Sequence, residues 1–250
     1  MNLARRILMA RRMGDTPDCA PDYDPYWDDV VLLLKGDGPD GSTNITDSSV
    51  YGHPVTVHGN AQISTAQSVY PGGSSMYFDG NGASYLDIAK NPMFDLKDDF
   101  TIEFWFNKTA YNTTGFCTVL SVGNGNANFI DFRSGQVRVI LSSGSLWSRH
   151  LAGKDVGGQW HHLALIKNSN THFCFVDGIQ NGSGVSNSSG INLSSIDLRV
   201  GKGSNHGMYP FLGYIQDLRI TKNRALYTTN FTPPTAPLPD PDPYDYSLFS

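Results

Sequence analysis

The chain has 250 residues, enough to bury a sizeable core within one domain. Only 16% of them are charged while 26 are glycine, a mixture that suits short strands joined by turns and argues against long helices. The formal net charge of -5 sits at the ends: setting aside the arginines of residues 1–14 and the aspartates of 15–29 and 240–245 leaves 14 basic and 14 acidic residues, a neutral body without the basic footprint of a nucleic-acid binder.

Residues 1–14 suit one short amphipathic helix, with Leu3, Ile7 and Leu8 near one face and Arg5, Arg6, Arg11 and Arg12 as its only charges. Only four apolar residues follow Arg5-Arg6, short of the ~7–15 that a signal peptide needs, so no secretion signal is expected. Nor does any apolar run approach the ~20 residues of a membrane helix. Gly14, Pro17, Pro21 and Pro25 then break regular structure, and residues 15–28 read as an extended acidic linker.

Strand-like runs follow. Val30–Leu34 is continuously apolar, as expected of a strand covered on both faces. Next come Val55–Val57, Ser75–Phe78, Ser84–Ile88 and Phe100–Phe106. The last alternates, with Phe100, Ile102, Phe104 and Phe106 on one face and Thr101, Glu103 and Trp105 on the other. Further runs are Thr118–Val122, Phe129–Phe132, Val137–Leu141, His162–Ile166, Phe173–Val176, Leu198–Val200 and Tyr214–Ile220. Turn signals such as Asp79-Gly-Asn-Gly82 and Asp177-Gly178 separate them. About a dozen short strands at this spacing predict an all-β, two-sheet antiparallel sandwich. From Pro233 onward the Pro-rich end reads as a second extended tail. The expected division is an N-terminal arm and linker over 1–29, a sandwich domain over 30–236 and a tail over 237–250.

The three cysteines, Cys19, Cys117 and Cys174, make neither a disulfide framework nor a zinc site. Cys117 and Cys174 lie in apolar runs and are expected as buried free thiols, compatible with assembly in a reducing cytoplasm.

Several stretches together resemble the laminin-G-like, concanavalin A-like jelly-roll superfamily. They are Leu32-Leu-Leu-Lys-Gly-Asp-Gly38, Ser75-Met-Tyr-Phe-Asp-Gly80, Phe100–Phe106, Trp160-His-His-Leu-Ala-Leu-Ile166, Phe175-Val-Asp-Gly178 and Phe211–Ile220. The closing pattern, Tyr227 then Phe231-Thr-Pro-Pro234, resembles domains of tailed-phage and marine viral structural proteins. Two features depart from the pattern: Lys35-Gly36 stands where the family tends to have His-Phe, and a basic-then-acidic extension precedes Trp27. The superfamily spans lectins, glucanases and adhesion modules, so the resemblance implies fold more than function.

Glucanases on this scaffold use two nearby carboxylates, as nucleophile and acid/base. This chain has one glutamate, Glu103, without a paired acid on its strand, so a hydrogen-bonded or solvent-facing strand residue is the expected role. His161 and His162 are adjacent on a strand and point to opposite faces, one expected in the core and one in solvent. No nucleophile elbow, metalloprotease helix or phosphate-binding loop is present. No cofactor is expected. Related domains often hold a structural calcium ion, and Asp37, Asp40, Asp47 and Asp217 are the acidic residues near the first and last strands, which commonly pair in this fold. Ordinary turn aspartates are the stronger reading, and no metal site is assigned.

For a glycan, the candidates are loop aromatics beside amides: Trp147, His150, Tyr111 and Tyr209, with Trp105 adding a ring from its strand. The resemblance and the arm together point to a non-enzymatic virion protein. It would be a capsid decoration, fibre or tail-associated component, assembled in the host cytoplasm and displaying a lectin-like jelly roll to host-surface glycan. Its arm (Leu3, Arg5, Arg6, Ile7, Leu8, Arg11, Arg12) would hold other virion proteins, in a homo-oligomer with no membrane span and no nucleic acid. The alternatives are an exported carbohydrate-binding or adhesion module and a degenerate glycoside hydrolase.

Overall fold

A computed structural model of the chain describes residues 24, 26–110, 115–122, 130–140, 146–151, 157–194, 197–203 and 209–239, with only the backbone of Val122, Ile140, Leu146, Trp147 and His150. The arm residues Leu3 to Arg12 and Tyr111 lie outside the described residues. Eighteen strands form among those described. They are β1 (Val30–Leu34), β2 (Val55–His58), β3 (Gln62–Ser64), β4 (Ser75–Asp79), β5 (Tyr85–Ile88), β6 (Asp95–Leu96), β7 (Phe100–Lys108), β8 (Phe116–Val122) and β9 (Ile130–Arg133). The second half supplies β10 (Gln136–Ile140), β11 (Leu146–His150), β12 (His161–Asn168), β13 (Thr171–Val176), β14 (Ile179–Gln180), β15 (Val185–Ser186), β16 (Ile191–Asn192), β17 (Leu198–Val200) and β18 (Leu212–Lys222).

They build the expected antiparallel jelly-roll sandwich. One sheet has nine strands, in the order β14-β13-β12-β7-β18-β4-β3, with β1 also on β18 and β15 also on β13. The facing sheet has seven, in the order β11-β10-β9-β8-β17-β5-β2, and β6 and β16 form a small third ladder. Phe100, Ile102, Phe104 and Phe106 of β7 point to the seven-stranded sheet, where Phe106 meets Phe132 of β9 at 4.8 Å between ring centroids. Cys117 and Cys174 are buried free thiols in this core. Desolvation pushes both up to about 12, so they stay protonated and inert. No helix among the described residues is long and apolar enough to cross a membrane.

The other face of the nine-stranded sheet is also covered, by residues 224–238, here called the strap. Thr101 Oγ1 donates to Arg224 O at 2.9 Å and accepts from Leu226 N at 3.0 Å. Tyr227 and Phe231 stack at 3.5 Å and lie with Ala164, Ile166 and Phe175 of β12 and β13. Phe231 N donates to Gly178 O at 2.9 Å. That approach requires glycine: a Cβ at position 178, where φ is +76°, would stand 1.9 Å from Phe231 O. The strap then returns to β1, where Leu238 packs with Trp27, Val30 and Leu33. The packed residues thus run from Asp24 to Leu238, and β1 is buried along its whole length.

Phe104 is fully buried. Its truncation, Phe104→Ala, is expected to cost about 3–5 kcal/mol in denaturant unfolding, because no neighbour can collapse into the space of a ring between two sheets. A loss under ~1 kcal/mol would contradict the assignment of faces.

Candidate functional site

The strap-side face of the nine-stranded sheet carries two different surfaces. Beneath the strap lies a buried polar network. Glu103 on β7 is directly opposite Arg219 on β18, and Arg219 Nε donates to Glu103 Oε1 at 2.8 Å. Arg219 also pairs with Asp24 at 2.5 Å, Tyr227 OH donates to Glu103 Oε2 at 2.9 Å, and His162 Nε2 stands 3.3 Å from that oxygen. The His162 ring is edge-on to Trp105 and Phe231. Glu103 and His162 are each 1% exposed. Burial alone would raise the Glu103 carboxyl, but the Arg219 guanidinium and the His162 contact outweigh it and hold it at about 2.

His162 therefore does not face solvent, because the strap encloses a face that the sequence leaves open. His161 is half-buried on the opposite side, with Nδ1 3.0 Å from Asp177 Oδ2. Trp105 is half-buried against His162 rather than presented as a free ring.

Farther along the same face, a cross-strand row runs Gln62–Tyr77–Tyr214–Asn107, each residue directly opposite the next. The Tyr77 and Tyr214 rings are 5.0 Å apart and Trp160 stands 6.5 Å from Tyr214. All three rings are half-buried. Gly213 has φ +142° and no room for a side chain, since a Cβ would meet Asn107 O at 2.2 Å; this close approach sets Tyr214 beside Asn107. Asn107 is the floor of the platform, 1% exposed, and its Nδ2 donates to Gly158 O at 3.2 Å and Gln67 Oε1 at 3.4 Å. Its Oδ1 and the Trp160 Nε1 are buried atoms with no hydrogen-bond partner among the described residues. Burial and the neighbouring Tyr77 raise the Tyr214 hydroxyl above the ordinary tyrosine value, so it remains a donor. No residue of this row is charged. The arrangement offers flat rings and amides, the chemistry that receives a polar ligand with apolar faces.

The residues singled out from sequence lie elsewhere. Tyr209 is half-buried, packed on Phe116 at 4.6 Å with φ +70°, on the seven-stranded sheet. Trp147 and His150 are on β11, the edge of that sheet, opposite Val139 and Gln136. The four aspartates near the first and last strands are dispersed. Asp47 spends both oxygens on the backbone N–H groups of Leu33, Ser49 and His53 and the Ser49 hydroxyl. Asp40 accepts from Thr65 N, and Asp217 accepts from Tyr70 OH at 2.8 Å. No group of three or more His, Cys, Asp or Glu placed to hold a metal ion occurs among the described residues.

The comparisons with known proteins concern the family and the fold. The profile of the Laminin_G_3 family, described as the concanavalin A-like lectin/glucanases superfamily, matches residues 79–229. The chain belongs to this superfamily. No curated protein matches it in sequence. Among solved structures it is similar to the binding domain of Paraclostridial Mosquitocidal Protein 1, with a TM-score of 0.62 at 17% identity over 81% of this chain and 50% of that one. It is also similar to the binding domain of botulinum neurotoxin serotype D (0.60, 14% identity, 80% and 50% covered). A third is the binding domain of botulinum neurotoxin DC in complex with rat synaptotagmin II (0.56, 16% identity, 78% and 48% covered). The chain spans about half the length of these structures, and at such identities the likeness is one of fold.

Two buried carboxyls set opposite pH dependences. Desolvation pushes Asp217 up to about 6, against the Tyr70 hydroxyl and the Leu238 N–H that favour its charge. A carboxyl raised on folding binds its proton more tightly in the native state, so Asp217 adds stability as pH falls from about 7 toward the unfolded value near 3.8, of order 3 kcal/mol. Glu103, held at about 2, contributes stability above its unfolded value near 4.5 and loses it as pH falls toward 2. The melting temperature is expected to rise from pH 7 to about 5 and then to fall. Asp217→Asn should flatten the upper limb alone. Glu103→Gln, which leaves Arg219 with Asp24 as its one counter-charge among the described residues, should cost about 3 kcal/mol at pH 7.

Proposed function

We propose that the chain is a non-enzymatic binding domain that takes an uncharged glycan on the Trp160–Tyr214–Tyr77 platform. The observation that carries this reading is the pair of unpartnered buried atoms, Asn107 Oδ1 and Trp160 Nε1, beside half-buried rings. Buried polar atoms are almost always paired. One acceptor and one donor at the edge of an aromatic platform suit a sugar hydroxyl, which is both, while the rings take its C–H face. The single glutamate is sealed under the strap as the anion of a structural ion pair, which favours binding over hydrolysis. Titration of a panel of neutral polysaccharides is expected to yield a ligand whose affinity falls at least about tenfold in Trp160→Ala and Tyr214→Ala. Unchanged affinity in both variants, or turnover of any polysaccharide by the wild-type chain, would overturn the reading.

The setting we favour is the surface of a virus particle, with the domain displayed toward host glycan. Its support is in the sequence: the closing Tyr227…Phe231-Thr-Pro-Pro234 pattern and the arginine-rich segment with Leu3, Ile7 and Leu8. The second reading, an exported adhesion module, is favoured by the toxin binding domains that share the fold, one of which is in complex with a synaptotagmin. Deleting residues 1–23 leaves Asp24 and Trp27 in place, so a folded domain is expected that no longer joins purified particles, measured by mass spectrometry. Incorporation at wild-type levels would remove the arm as the anchor.

A further inference from the structure

The solvent side of the seven-stranded sheet carries a different chemistry. Its cross-strand rows read Thr56–Asp87–Arg199–Ser121, Thr118–Asp131–Arg138 and Phe116–Arg133–Gln136. The carboxylates in these rows are already spent. Asp87 receives Arg199 in a two-pronged pair at 2.8 and 3.0 Å, with His58 Nε2 3.2 Å away, and Asp131 receives Arg138 through both its oxygens. Two cations remain without a salt bridge among the described residues. Lys202 stands over the Tyr85 ring at 4.5 Å and Arg133 over the Phe116 ring at 4.3 Å, and Arg133 is exposed. In sequence, the segments 123–129 and 204–208, which join these strands to their neighbours, contain no acid. This sheet face thus carries two cations outside salt bridges, with the exposed Asp197 beside Arg199, in a chain of net charge -5.

We infer that this face binds an acidic polysaccharide through Lys202 and Arg133, at a site separate from the neutral platform on the other sheet. Arg133 ends β9 and Lys202 lies two residues beyond β17, which is two ladders, roughly 10 Å, across the sheet from β9, so they would engage successive anionic groups along a polymer rather than one ion. The rings select against the other common polyanion. Tyr85 is stacked by His58 at 4.2 Å and 13° and approached by Arg199 at 4.4 Å; Phe116 carries Tyr209 and Arg133. A single-stranded nucleic acid binds on free ring faces, and these are taken. Sulfate or carboxylate groups need only the cations.

The test uses the full chain, with dextran sulfate against unmodified dextran of the same length, followed by calorimetry at two salt concentrations. Dextran sulfate is expected to bind and dextran not to bind at this face. Each of Lys202→Gln and Arg133→Gln should weaken binding several-fold. The double variant should weaken it more than tenfold and flatten its salt dependence, with an unchanged melting temperature showing an intact fold. Three results would overturn the inference: no binding of dextran sulfate at low salt, binding that the double variant leaves intact, or a single-stranded oligonucleotide that binds as tightly as the sulfated polymer.

Discussion

An irregularity in β18 fixes which residues share a face. Along a regular strand, side chains alternate, so residues five apart point to opposite sides. Tyr214 and Arg219 are five apart, yet Tyr214 lies opposite Asn107, and Arg219 opposite Glu103, all on the strap side. Between them the register with β7 shifts, and Asp217 takes a left-handed φ of +51°. The extra residue inverts the parity of the strand. Without it, Arg219 would be turned into the apolar core, Leu218 and Ile220 would be turned out of it, and Glu103 would lose its cation. Asp217 is among the few non-glycine residues that adopt this conformation at modest cost, and its carboxyl reaches Tyr70 from there.

The strap follows from that arrangement. Burying Glu103 and Arg219 is favourable only if their remaining hydrogen-bonding capacity is used. Tyr227, His162 and Asp24 use it, and the first of these is brought by the strap itself. The strap in turn relies on Thr101 and Gly178 for its backbone and on Phe231 for its apolar contact. The network is therefore better understood as a register lock between β7, β18 and the chain end than as a large source of stability. It allows one seat for the closing segment, because any other seat leaves a buried charge unpaired.

Much of the fold was legible. Each run read from the sequence coincides with a strand, because those strands have an apolar face turned to the core and alternate accordingly. The strands that were not anticipated, β3, β6, β11 and β14 to β16, are two to five residues long and mostly polar, and long-range pairing rather than local pattern defines them. The bulge did leave a trace: Ile215, Leu218 and Ile220 break period-two spacing at Gln216-Asp217. The platform was not legible as a site. Tyr77 and Tyr214 each occupy an outward position that their own strands reveal, but their adjacency depends on β4 pairing with β18, which joins residues 137 positions apart. Aromatics in loops attract attention in a sequence, while aromatics in strands read as core. The strap hid the roles of His162 and Glu103 for the same reason, since a chain end that folds back has no periodicity to announce it.

The location of the acidic groups bears on the choice between hydrolysis and binding in a superfamily that includes both. A retaining or inverting glycosidase needs two carboxyls facing one cleft, the proton donor kept neutral and accessible to the glycosidic oxygen. Glu103 is accessible to nothing but its partners and is held ionised. Asp217 has the raised value of a proton donor, yet it is 2% exposed and beneath the Leu238 contact. Asp87 and Asp131 are each closed by an arginine in a two-pronged pair that occupies both oxygens of the carboxylate. Among the described residues, an unpartnered acceptor and donor stand beside rings on one sheet, and two cations without a salt bridge stand on the other. Glu103, Asp87, Asp131 and Asp217 are each occupied by a cation or a hydrogen-bond donor, and the chemistry beside the platform is that of rings and amides.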